Sequence, residues 1–229
     1  MESINKVKSI SLWIFLLPFF AINSCLFIVI FFNEILPVGV GIGKTFPYID
    51  GGTSISRTAR YFPLYLIFKP LMFLTSYLLI KYWLYNKKIV SYFDPNNKNI
   101  KYFTYFGIIS AIFLTLHSIF LGIKFDYDLY KLFRRIVLLS FIIFEITAQT
   151  YLVICLYKIK KQLYNLINEI YLKLKICLVG ILIITTIISI PIVSMPGNKF
   201  LKHALEWDYF LGVILFYLLT FFLWKKPNS

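Results

Sequence analysis

Residues 176–194 read ICLVGILIITTIISIPIVS, a run with no charged residue. Crossing about 30 Å of hydrocarbon takes about 20 apolar residues in a helix, so this run is long enough to span a bilayer. Working outward, five more stretches qualify or nearly do: 10–32, 61–82, 102–123, 136–157 and 207–224. The fourth has an alternative start near Tyr130, with Arg134 and Arg135 at its mouth. The whole chain agrees with its parts. Of 229 residues, 59% are hydrophobic, 20% aromatic and only 15% charged, with mean hydropathy +0.77. A soluble domain of this size could not hide so much apolar surface, and disorder fails on the same grounds. The expected fold is all-α, a six-transmembrane-helix bundle forming one integral membrane domain over 1–229.

The first span follows Lys6 and Lys8, as a signal peptide would, but it continues too far and lacks a small-residue cleavage pattern. It is read as a retained helix. Formal net charge is +14. Such a charge would suggest nucleic acid in a soluble protein, but here the lysines sit between apolar runs and report orientation instead. The side holding both termini carries fourteen Lys and Arg against nine opposite; with the acids counted, it is +11 against +3. Both termini are therefore expected to be cytosolic.

The long first outer loop, 33–60, holds Gly39, Gly41, Gly43, Gly51 and Gly52 with Pro37 and Pro47, and is expected to fold back on the bundle. The inner loop 86–101 reads as a polar turn with Asp94-Pro95-Asn96-Asn97 at its tip. Residues 158–175 intersperse Ile159, Leu163, Leu166, Ile167 and Ile170 with lysines. They fit either an amphipathic helix on anionic lipid or an extension of the fourth span.

Charges at membrane depth are costly and therefore mark candidate sites. Lys69 and Glu145 stand out. At about 1.5 Å per residue they lie about 10 and about 13 Å below the outer face, and His117 about 9 Å. Asn23 is near mid-depth, and Glu206 and Asp208 sit at the outer rim. The arrangement suggests a polar chamber open to the outer leaflet. Asp50, Arg57, Lys69, Glu206 and Asp208 would bind substrate there, with Arg60 also within reach of an anionic headgroup. His117 and Glu145 are the candidates for a general base. Two other readings of Lys69 stand beside this one: a buried ion pair with Glu145 that fixes helix register, or snorkelling to the interface. His117 equally fits a helix-packing role.

Two histidines are too few for a three-histidine zinc site, and no metal or cofactor is expected. Cys25, Cys155 and Cys177 fall in helices, where apolar packing is the default. There is no Gly-x-Ser-x-Gly elbow, Walker motif, periodic arginine sensor or selectivity filter.

Phe46-Pro47-Tyr48-Ile49-Asp50-Gly51-Gly52-Thr53 resembles, one residue short, the Phe/Tyr-Pro-Tyr-Ile-Ser-Asp-Thr-Gly signature of the FRAG/DRAM/Sfk family of six-helix membrane proteins. Leu205-Glu206-Trp207 with Phe216-Tyr217-Leu218-Leu219-Thr220-Phe221 resembles the ending of damage-regulated autophagy modulators. Many members carry a His-Asp pair before the fourth helix, where this chain has Lys131, Arg134 and Arg135. The resemblance implies lipid handling. The family includes factors that remodel GPI-anchor lipid and regulators of autophagy or lipid asymmetry. The expected function is therefore handling or remodelling of lipid in the outer or lumenal leaflet. The alternatives are a non-enzymatic membrane regulator and, more weakly, a transporter. Membrane lipids, and other membrane proteins for an adaptor, are the expected partners; nucleic acid is not. The setting would be a eukaryotic endomembrane (ER, Golgi or lysosome), the plasma membrane or a bacterial inner membrane.

Overall fold

The computed structural model describes residues 2–32, 34, 36, 37, 42–123, 128–195 and 197–225; the side chains of 128, 131, 190 and 192–194 are not described. Gly39, Gly41, Lys124, Asp126 and Lys226, used above for the loop and the charge balance, lie outside these residues.

Among the described residues eight helices follow in order: α1 (Glu2–Phe31), α2 (Pro47–Asp50), α3 (Ile55–Thr58), α4 (Leu64–Phe93), α5 (Asn99–Phe120), α6 (Asp128–Lys158), α7 (Glu169–Ser194) and α8 (Lys199–Leu223). Six of them, all but the short α2 and α3, are long and apolar enough to cross a membrane. They pack in chain order, α1 on α4, α4 on α5, and so on, until α8 returns to α1 and closes a ring. Alternating direction puts both described chain ends at one end of the bundle, where Lys8 Nζ donates to Trp224 O at 2.6 Å. The segment carrying α2 and α3 covers the opposite end, called the loop end below.

Each long helix outruns, at one end at least, the apolar stretch that announces it. Polar residues cap or flank an apolar core, so hydropathy ends before hydrogen bonding does. The Asn168 side chain accepts from Ile170 N at 3.0 Å and starts α7 seven residues before the apolar run. α4 continues past the expected end at residue 82 to Phe93, into the first half of the stretch expected as a polar loop, whose Asp94–Asn97 tip remains a turn. Along that extension Lys88 Nζ lies 5.8 Å from the Tyr85 ring, so cation and aromatic face together carry the helix out of the apolar layer.

Residues 159–166 correct both readings of the 158–175 stretch. They form successive turns, neither a surface helix nor an extension of α6. Ile159, Leu163 and Ile167 are buried beneath the bundle, because plugging its end hides more apolar area than lying along a surface. The chain then clamps the C-terminus: Asn168 N donates to Leu223 O at 2.8 Å and Lys225 N to Leu166 O at 2.9 Å.

The core is aromatic where helices approach most closely. Trp83 lies directly on Gly107, where an added Cβ would stand 2.3 Å from the indole ring. Tyr82, Trp83, Phe103 and Tyr217 are all fully buried around that crossing. The outward faces of α7, with Ile181, Ile184, Ile187 and Ile188 exposed, form an apolar belt suited to lipid.

Candidate functional site

Helix α8 organises the interior. Near its start it receives the folded-back loop. Asp50 Oδ1 accepts from Thr45 Oγ1 at 2.6 Å and Gly52 N at 2.8 Å, and Oδ2 accepts from Phe46 N at 2.8 Å. These three bonds close the turn and hold the Asp50 carboxyl below the usual carboxylate range. Gly51 follows at φ 60°, with the α8 backbone so close that a Cβ would lie 1.7 Å from Phe200 O. Only glycine fits there. Beyond it, His203 Nδ1 donates to Gly51 O at 3.0 Å and Trp207 Nε1 to Thr53 O at 2.8 Å. The Tyr48 ring packs edge-on against Trp207 at 4.9 Å, and its hydroxyl donates to Asn23 Oδ1 at 3.2 Å. The Glu206 carboxylate faces the backbone N–H groups of Ile55 and Ser56, with Arg60 nearby.

Below this docked loop lies a cavity of about 70 Å³, walled by α1, α4, α5, α6 and α8 with Ile55 of α3 at its top. Its lining runs along α8 from Glu206 to Tyr217, eleven residues or about 16 Å. That is about half the hydrocarbon thickness, the depth of one leaflet. The wall is mostly Ile, Leu, Phe, Met and Val, and its ionisable members are His117, Glu145, Glu206 and two tyrosines. His117 is buried and has no hydrogen-bond partner for its ring among the described residues. It stands seven residues, about 10 Å, along α5 from Ser110 and therefore above Glu145.

At the cavity floor Glu145 is fully engaged. Ser110 Oγ donates to Oε2 at 2.5 Å, Gln149 Nε2 donates to Oε1 at 3.1 Å, and the Tyr217 hydroxyl also donates to Oε1. Gln149 Nε2 further reaches Val213 O at 3.2 Å. Beneath, Tyr82 Oη and Thr220 Oγ1 share a hydrogen bond of 3.1 Å, and Lys175 Nζ donates to Thr220 Oγ1 at 2.5 Å. Lys175 is completely buried, with its Nζ 3.6 Å from the centre of the Phe216 ring. Among the described residues it has no carboxylate within ion-pair distance.

The seven residues singled out from sequence thus separate. His117, Glu145 and Glu206 line one cavity. Lys69 does not reach Glu145: its Nζ donates to Ile119 O at 3.2 Å and lies 5.5 Å from the Tyr65 ring, the snorkelling arrangement. Asp50 closes its own loop, Arg57 lies on α3 within electrostatic reach of His203, and Asp208 is exposed on the side of α8 away from Glu206. Sequence reasoning missed Gln149 and Lys175. The spacing Glu145-x-x-x-Gln149 places both on one helix face and could have found the first. Tyr217 and Thr220, three apart, make a polar stripe on α8, but nothing in the sequence points it at Lys175. Comparison of the chain with models of known families, with curated proteins and with solved structures finds no match.

Proposed function

We propose that this protein binds membrane lipid by admitting one acyl chain into the slot beside α8, with its head at the loop end. The observation that carries the reading is the slot's combination of one-leaflet length, apolar wall and an unpartnered buried imidazole. The open volume, about 70 Å³, is less than half the ~150 Å³ that accepts benzene, so a chain must part the helices as it enters. α6 and α8 touch only lightly across the ring and are the walls that yield. With cytosolic termini, as the lysine balance favours, the slot opens to the outer or lumenal leaflet. Glu145 is occupied by three donors and serves as the floor; His117 is the group left to act on a bound head or ester. Membership of the FRAG/DRAM/Sfk family, whether on its GPI-lipid or its autophagy branch, belongs to this proposal. In its support, the two stretches that carry the resemblance pack on each other through Tyr48, Thr53 and Trp207.

The test is mass spectrometry of lipid that co-purifies with the parent and with Val213→Phe, which fills the slot. One lipid class enriched on the parent and lost from a monodisperse variant is the expected result. Identical bulk lipid on both would refute the slot.

A further inference from the structure

The slot's loop end holds a feature that the cavity lining does not include. The Arg60 backbone passes against Gly122, where a Cβ would stand 2.9 Å from Arg60 O. Tyr130 Oη donates to Phe120 O at 3.0 Å, which ties the start of α6 to the end of α5. Arg134, one turn beyond Tyr130, is thereby brought to the same corner, one turn above Leu138 of the slot wall. The two guanidinium groups are close enough to repel each other. Each has its Nε buried without a hydrogen-bond partner among the described residues. Arg60 donates through Nη2 to Ser56 Oγ at 3.3 Å and has Glu206 nearby; Arg134 has no carboxylate within ion-pair distance among the described residues. The unpartnered His117 ring lies within electrostatic reach of Arg134.

Two adjacent guanidiniums repel each other and their buried N–H groups are left unsatisfied, unless something with several acceptor oxygens bridges them. Among the described residues the acid nearby is Glu206, and it is turned to the Ile55 and Ser56 amides. We infer that Arg60 and Arg134 form an anion clamp that takes a phosphate-type group above the slot. This rests on the proposed chain-binding slot, and it names the head that goes with the chain. A lipid phosphate would set its head between the guanidiniums and its chain along α8. Free phosphate offers the same oxygens without a chain.

The two sources and the two claims separate in one experiment. The parent, Arg60→Gln, Arg134→Gln and Val213→Phe are placed in nanodiscs of uncharged lipid. Each is then offered a single-chain lipid phosphate, the matching single-chain alcohol and inorganic phosphate. Charge-assisted bonds contribute about 1.5–3 kcal/mol, so the parent should prefer the lipid phosphate over the alcohol by about tenfold or more. Each arginine variant should bring the two within about twofold, while Val213→Phe lowers binding of both. Stabilisation by inorganic phosphate that needs both arginines, without preference between the lipids, would keep the clamp and make a free anion its ligand. If the parent binds both lipids alike and ignores phosphate, the clamp is wrong, even where Val213→Phe still lowers chain binding.

Discussion

The two halves of α8 hold their surroundings by different means. Toward the loop end, His203, Glu206 and Trp207 grip backbone atoms of Gly51, Thr53, Ile55 and Ser56, a segment already closed on itself by Asp50. Toward the other end, Tyr217 and Thr220 join side chains from α4, α5, α6 and α7 in a buried hydrogen-bonded column. The first half is a docking surface whose partner can leave as a unit. In the second half the buried side chains depend on one another, and a member left behind loses part or all of its hydrogen bonding. Between them lies the slot, with a removable roof and a fixed floor.

Glu145→Leu should break this contrast most severely. It takes the acceptor from the Tyr217 hydroxyl and leaves Ser110 and Gln149 with only Gly107 O and Val213 O, and a loss of about 2 kcal/mol or more is expected, seen as a lower detergent melting temperature and poor insertion. Glu145→Gln keeps an acceptor and should recover much of it. Gly51→Ala is the matching test of the roof. With φ at 60° and Phe200 O in the way, the loop should undock and become protease-sensitive, while the bundle melts within a few degrees of the parent. Equal loss of bundle stability in both variants would erase the distinction between roof and floor.

Acid sharpens the comparison more gently. The Asp50 carboxyl titrates below its usual value when the loop is closed, so its contribution is complete above the unfolded value, about 3.9, and fades as pH falls through the lower folded one. Loop protection in hydrogen exchange should therefore hold at pH 5 and drop toward pH 3. In Asp50→Asn it should already be weaker at pH 5 and change less on further acidification. Lys69→Met should do least, within about 0.5 kcal/mol, because Lys69 reaches an exposed carbonyl at the interface and no buried partner.

The six spans and the placing of Glu145 at depth within the bundle were legible in the sequence, because apolar length and a charge within it are properties along the chain. What surrounds a residue was not. Lys69 and Lys175 show this: the first falls inside an apolar run yet faces outward, whereas the second precedes one and is sealed in the core. Hydropathy measures depth and carries no angle about the helix axis. Helix ends were misjudged for a related reason, since caps such as Asn168 act through hydrogen bonds that hydropathy does not register. The turns at 159–166 were hidden because their apolar spacing also satisfies a helix; burial beneath the bundle decides their shape.

The most direct measurement uses a single-chain lipid with a photoreactive group midway along its chain, crosslinked to the protein in nanodiscs and mapped by peptide mass spectrometry. Labelling at Phe141, Phe210 and Val213, suppressed by Val213→Phe, is what a chain in the slot produces. Labelling confined to the outward belt of Ile184, Ile187 and Ile188 would contradict it and leave the cavity a packing feature.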